Sequence, residues 1–329
     1  MANTVPQAYY QEYKATVQML SQQKFSVFEN LMTTGTTPGN IGERVYWDRV
    51  NSISFSEQTT ANEATSYTDV EHSKRSATFK NYSVYMYVDP FIDLTKMQFD
   101  PTNIYVQLGV AAWKRKIDEI AIAAALGNAT DGKDAGTTTA FPTATQTVDL
   151  KFKEGDPIGA GNGTSTDTFG TGDTLLTIAK IKKAYSLLHT NFSTNPGDRV
   201  NLVISPEEEI SLLGMQEYVN RDYKSELPYD MSTFVGGAYI GHMLGIDIYR
   251  STLLTVTDPA GASNQYRSCL MFPTSGLGKY IGKELSVKMA ENSNRSFAWT
   301  IGLQAGMGAS RIEEVKMVEI RTATGTDPS

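Results

Sequence analysis

One cysteine, Cys269, serves the whole chain of 329 residues. No disulfide can form within it, and the apolar run YRSCLMF around that residue points to a buried structural thiol. Such a chain suits a reducing compartment. Histidine is nearly as scarce: His72, His189 and His242 stand far apart, and none belongs to a metal-ligand pair of the HExxH kind. No stretch of 18 apolar residues occurs, and the start, MANTVPQAYYQEY, has no basic region followed by an apolar one, so neither membrane insertion nor export is expected. Basic residues do not dominate either. With a net charge of −7, phosphate neutralisation across the whole surface is excluded, although enclosing a nucleic acid without gripping it is not.

Glycine and proline are both missing from 47 consecutive residues, Glu43 to Asp89. The first part, Arg44 to Phe55, alternates with period two: Val45 and Trp47 share a face, and Ile53 and Phe55 follow the same spacing. A return strand is predicted over Thr78–Val88, with Phe79, Tyr85 and Tyr87 on one face and Tyr82, Val84, Met86 and Val88 on the other. The tip between them, Ser56 to Ser76, is charged and hydroxyl-rich and lacks a tight-turn dipeptide. A lone two-stranded ribbon is marginal in water, so this one must lie on something. Either it packs on its own core as an ordinary hairpin, or it is an assembly arm buried by a neighbouring copy.

Length and a hydrophobic fraction of 40% suggest a sizeable core and two domains. Asp100 and Pro101 open the clearest helix, whose apolar series Val106, Val110, Trp113, Ile117, Ile120 and Ala124 runs to about Leu126. Lys114, Arg115, Lys116, Asp118 and Glu119 fall on the faces that stripe leaves free. Ala129 to Thr171 reads as loop, with a short strand over Val148–Phe152. A second helix is predicted from Asp173 to about His189. A strand then covers Arg199–Ser205, and Ser205, Pro206 and Glu208 mark a capped helix start, in which Glu207, Glu208 and Glu209 favour the positive helix end. Those acids are explained by helix architecture rather than by catalysis. Gly237, Gly241 and Gly245 lead through a tight turn into a strand at Ile246–Arg250, and further strands are predicted over Tyr266–Phe272, Leu285–Ala290, Phe297–Leu303 and Glu314–Arg321. The fold class is α+β.

Motifs that carry chemistry are absent or incomplete. Gly127 to Lys133 has the phosphate-loop spacing, but Asp134 stands where a magnesium-binding Ser or Thr is required, and the segment follows a helix. Gly159, Gly161 and Gly163 have no strong strand before them and no helix directly after, as a dinucleotide fingerprint needs. Asp131 to Asp134 lacks the remaining ligands of an EF-hand. No catalytic, cofactor-binding or metal-ligating residue is expected, and no cofactor.

The order of elements carries a resemblance. A polar N-terminal segment, the long ribbon, the helix after Asp100, the RVNLVISPEEE unit, YIGHMLGIDIYRS and the late GMGASRIEEVKMVEIRT together resemble the major capsid protein of tailed bacteriophages, the HK97-type shell fold. The resemblance implies an N-terminal arm (1–42), an extended hairpin loop (43–90) lying across an adjacent subunit, a peripheral domain around the spine helix (91–170 with return strands at 284–329) and an axial domain (171–283). It implies a structural protein, not an enzyme, that self-assembles as pentamers and hexamers into an icosahedral shell enclosing double-stranded DNA, with no sequence-specific binding and no membrane. Implied partners are a portal and a cement or decoration protein, and, because the arm begins within a few residues of Met1, the resemblance implies either a separate scaffolding protein or a chain already processed. The implied location is the virion capsid, assembled in the bacterial host cytoplasm. Other readings left open are an encapsulin-like compartment holding a cargo enzyme, an enzyme on an unrelated α+β fold, and a decorating protein on a virion surface.

Overall fold

The computed structural model describes residues 22–35, 43–55, 57, 59–60, 67–88, 102–132, 134, 136–153, 174–190, 193–194, 197–215, 238–254, 256–257, 265–295 and 297–324. Asp100, Pro101, Asp173, Lys133, Gly237 and the glycines at 159, 161 and 163 lie outside them.

Helix α1, Thr102–Leu126, has 25 residues and so runs about 38 Å. It spans two sheets. Near its start, Tyr105 and Val106 pack with Ile301 and Leu303 on a four-stranded sheet. Towards its end, Ile117, Ala121 and Ala125 pack with Val203, Leu270 and Phe272 on a seven-stranded one. The expected apolar stripe is displaced: of its members only Ile117 is fully buried, while Ala111, Asp118, Ala121 and Ala125 are. Small residues let the sheets approach on one side, and the N-terminal segment covers another, so the helix buries more than one stripe.

The four-stranded sheet has the order β1 (Thr33–Thr34), β13 (Leu277–Asn292), β14 (Ala298–Arg311), β4 (Lys80–Val88). The long β13–β14 hairpin extends both strands beyond their predicted ranges, and β4 pairs antiparallel with β14 from Trp299↔Val88 to Met307↔Lys80. This corrects the expected ribbon. Its return strand is β3 (His72–Thr78), which pairs with β2 (Arg44–Val50) in the register Arg44↔Thr78 to Val50↔His72. The apolar pattern of Tyr82 to Val88 led to the wrong partner because two apolar faces suit a strand covered by α1 on one side as well as they suit a ribbon. The true return strand is polar, HSKRSAT, and is held by charge pairs instead.

The seven-stranded sheet orders β7 (Thr147–Val148), β15 (Val318–Ala323), β12 (Tyr266–Pro273), β8 (Val200–Ile204), β10 (Ile246–Arg250) and β9 (Tyr239–Met243), with β11 (Val256–Thr257) added to β12. β8 and β10 are parallel, and all five residues of β8 are buried. Both faces of this sheet are covered, so a central strand reads as a continuous apolar run. One face carries Leu202, Ile204, Cys269 and Met271 against α3 (Ile178–Thr190) and the end of α4 (Pro206–Leu213); the other faces α1. The α3 start falls at Ile178 rather than at Asp173. Lys180, fully buried on α3, donates to the carbonyls of Leu150 (2.9 Å), Thr174 (2.7 Å) and Arg321 (2.8 Å), tying helix to sheet.

The segment read as loop after Leu126 carries regular elements among its described residues: β5 (Ala129–Asp131), β6 (Thr137–Thr139), the single-turn α2 (Thr143–Gln146) and β7. β5 joins the edge of β3, giving the sheet β2-β3-β5-β6. The tight turn before β10 is as expected: Met243 pairs with Ile246 across Leu244 (φ 53°) and Gly245 (φ 81°). Two positive φ angles in a two-residue loop match the twist of an antiparallel pair.

Candidate functional site

Among the described residues, those that could have carried chemistry stand apart from one another, save for one histidine–aspartate contact. Cys269 is buried, and burial pushes its thiol well above the usual value. His189 stacks on Tyr185 at 3.9 Å, His72 sits exposed in β3, and His242 Nδ1 lies 2.8 Å from Asp247. The phosphate-loop look-alike folds into β5, where Asp131 is occupied by arginines. Among the described residues no group of three or more His, Cys, Asp or Glu could hold a metal, and no helix is long and apolar enough to cross a membrane.

The acids after Ser205 are architectural, as read. Ser205 caps α4 in a capping box with Glu208. Each acid also reaches into the sheet: Glu207 pairs with Arg267 (2.7 Å), Glu209 with Arg250 (3.0 Å), and buried Glu208 accepts from Thr322 Oγ1 (2.9 Å).

What the molecule does present is an anchored ribbon with an uncovered end. At its base, Val45 is buried and Trp47 lies against Gly35 and Gly278. Arg75, fully buried, donates to Asp131 (3.1 Å) and to Glu314; Arg49 reaches Asp131 at 2.8 Å and Glu314 at 3.6 Å. Arg311 completes the cluster 3.8 Å from Glu314, donating to the carbonyls of Ala125 (2.7 Å) and Gly127 (3.0 Å), and its burial lowers its proton affinity. Three guanidinium groups on two carboxylates fix the ribbon to the end of α1 and to the turn before β15. Beyond that base, Val50, Ile53, Phe55, Tyr67 and Val70 all face solvent.

A second anchor holds the N-terminal segment. Asp118, fully buried on α1, accepts from the backbone N–H groups of Val27 and Phe28 (3.1 Å each), from Ser26 Oγ and from Gln23 Nε2 (2.6 Å). Burial raises its carboxyl above the usual value against the opposing pull of those four hydrogen bonds. Lys114 pairs with Glu29, and Phe28 stacks on Phe272 with centroids 6.1 Å apart. The sequence placed Asp118 among solvated charges; the only signal to the contrary was its position one residue after Ile117, at the border of the stripe.

A family model described as phage capsid protein matches residues 5–324. The chain belongs to that family. No curated protein matches the capsid protein in sequence. Solved structures similar to it include the capsid of Ralstonia phage GP4 (TM-score 0.74, 12% identity, 100% of this chain and 99% of that one covered) and the cyanophage Pam1 capsid asymmetric unit (0.72, 10%, 99% and 99%). The capsid of cyanophage P-SCSP1u is also similar (0.68, 14%, 99% and 96%). The fold is the HK97-like capsid fold, and the protein is a shell-forming structural protein of a tailed phage. Its place is the virion capsid, as a multimer. An unrelated α+β enzyme fold is thereby set aside, and membership of a phage capsid family favours a viral shell over a cargo compartment that would share the fold.

Proposed function

We propose that the capsid protein assembles as pentamers and hexamers into an icosahedral shell around double-stranded DNA, acting structurally and not as an enzyme, with its ribbon lying across an adjacent subunit. The observation that carries this reading is the ribbon's exposed apolar end: Val50, Ile53, Phe55, Tyr67 and Val70 have no cover in the single chain. Contacts between unlike patches repeat around a ring and close it, and a neighbour is the cheapest cover available. The net charge of −7 supports enclosing DNA without gripping its phosphates.

By the same reading the arm is 1–42, the extended loop 43–90, of which Lys80–Val88 leaves the ribbon to pair with β14, the peripheral domain 91–170 with 284–329, and the axial domain 171–283. Strands β7 and β15, from the peripheral segments, pair in the same sheet as the axial strands, so the two units share a sheet. A scaffolding protein, a portal and a cement or decoration protein complete the assembly, which takes place in the bacterial host cytoplasm.

The test is removal of the uncovered end. The deletion must spare Ser73 to Arg75, which pair with Trp47 to Arg49 at the base. Replacing Ile53–Val70 by a short Gly-Ser linker should leave the subunit's melting temperature unchanged and abolish closed shells in electron micrographs. Shells of normal yield from that variant would refute the role assigned to the ribbon.

A further inference from the structure

The four-stranded sheet turns one face to α1 and, among the described residues, leaves much of the other open. Tyr82 and Val84 face the helix, where the Tyr82 ring lies 5.9 Å from that of Trp113, so Tyr85 and Tyr87 stand on the opposite face. Both rings are about half-exposed. A Cβ at Gly302, the β14 partner of Tyr85, would come within 3.0 Å of that ring, so the glycine lets Tyr85 lie down on the sheet backbone with its outer side open. The Tyr85 hydroxyl accepts from Gln304 Nε2 at 2.7 Å, and Gln304 Oε1 accepts from Lys283 Nζ at 3.2 Å. Lys288 pairs with Gly302 from the other side, one strand beyond the tyrosine. The guanidinium of Arg295, in the turn between β13 and β14, lies over Tyr87 at 4.7 Å from the ring centre.

The charge beside these rings is of one sign. Strands β4 and β14 contain no Asp or Glu. Of the two acids on β13, Glu291 stands opposite Trp299 and so shares the helix side with Ile301, while Glu284 sits in the bulge between Lys283 and Ser286. Lys283, Lys288 and Arg295 are all exposed. In a chain of net charge −7 this face is a local exception.

We propose that this sheet face binds single-stranded nucleic acid without sequence preference. One base stacks on the Tyr85 ring and the next on the Arg295 guanidinium above Tyr87, while Lys283 and Lys288 draw the phosphates. Tyr85 and Tyr87 are two residues apart on one strand, about 7 Å, so the bases they hold lie side by side, unstacked from each other. Rings and guanidinium planes accept any base, because every base has a π face. An acidic protein segment would satisfy the three cations and leave the open ring unused. A duplex keeps its bases inside and offers this face phosphates alone. The inference is therefore compatible with a shell that encloses double-stranded DNA without gripping it, and it stands independently of the ribbon.

Fluorescence anisotropy of a labelled oligothymidylate of about twelve nucleotides, titrated with full-length unassembled subunits, tests it. Three phosphate contacts should give a slope of about −2 in the logarithm of the binding constant against that of salt concentration. Tyr85→Ala, at a half-exposed position, should weaken binding about tenfold with that slope kept, and Lys288→Gln should lower the slope by about 0.7. An abasic strand of the same length should bind at least tenfold more weakly than the oligothymidylate. Equal binding of the abasic strand or of a duplex would reduce the contact to charge attraction and overturn the proposal, as would no binding at low salt. Heparin bound where the oligonucleotide is not would assign the face to an anionic glycan and overturn it too.

Discussion

Replacing Asp118 by alanine strips the acceptor from two buried backbone N–H groups, those of Val27 and Phe28, and from the side chains of Ser26 and Gln23. A buried donor left without a partner costs about 1–3 kcal/mol, so the two amides alone set a range of about 2–6 kcal/mol. Removing a buried carboxylate returns part of that, because its own desolvation opposed folding. The net expectation is about 2–4 kcal/mol, felt by the segment from Gln22 to Met32 rather than by the sheets. At 1.4 kcal/mol per decade, amide hydrogen exchange at Val27 and Phe28 should accelerate by about 30- to 700-fold, with exchange in β8 and β12 unchanged. Mass spectrometry of unassembled subunits reads both. An acceleration below about threefold would show that Phe28 packing alone holds the segment and would refute the clamp. The pH response adds a sign. The folded carboxyl sits above its usual 3.8, so the folded state holds the proton more tightly than the unfolded one. This group's contribution is therefore complete below about 3.8 and declines as pH rises through the folded value. Asp118→Asn should flatten that part of the stability profile.

The arginine cluster predicts an order of effects. Arg75→Met leaves two guanidinium groups facing two carboxylates and should cost about 2 kcal/mol, whereas Asp131→Asn leaves three facing one and should cost about 4 kcal/mol, as read by urea unfolding; the reverse order would contradict the charge count. Gly308→Ala would place a Cβ 2.6 Å from the backbone carbonyl oxygen of Thr78, a contact that no side-chain rotation relieves, so the melting temperature should fall by several degrees for about 1–3 kcal/mol of strain. A melt within one degree of the parent would mean that the ribbon's junction with β14 can shift.

What was legible in the sequence was what local chemistry decides. Ser205, Pro206 and Glu208 announce α4 within four residues, and the Leu244–Gly245 turn and β10 follow the same logic. α1 was legible from its length, yet its buried face was not: Asp118 owes its burial to a segment some ninety residues earlier that brings four donors to it. β4 was visible as a strand, but its partner β14 lies more than two hundred residues later, and apolar residues on both faces do not say which neighbour covers them. β3 was missed because its stability comes from Arg75 meeting Asp131 and Glu314, pairings that no period records. The ribbon's exposed end, on which the proposed function rests, could be suspected from alternation alone.

The pairing of β4 with β14 also sets a timetable. A ribosome finishes Lys80–Val88 long before it reaches Trp299, and β1 waits equally for Gly278. Contacts this distant close late, so the nascent chain carries its four-stranded sheet unformed through most of translation. The packing of Tyr105 and Val106 of α1 on Ile301 and Leu303 waits for the same strand. The edge of β4 is therefore without its partner for most of synthesis, which makes strand pairing between neighbouring nascent chains the misfolding hazard of this topology.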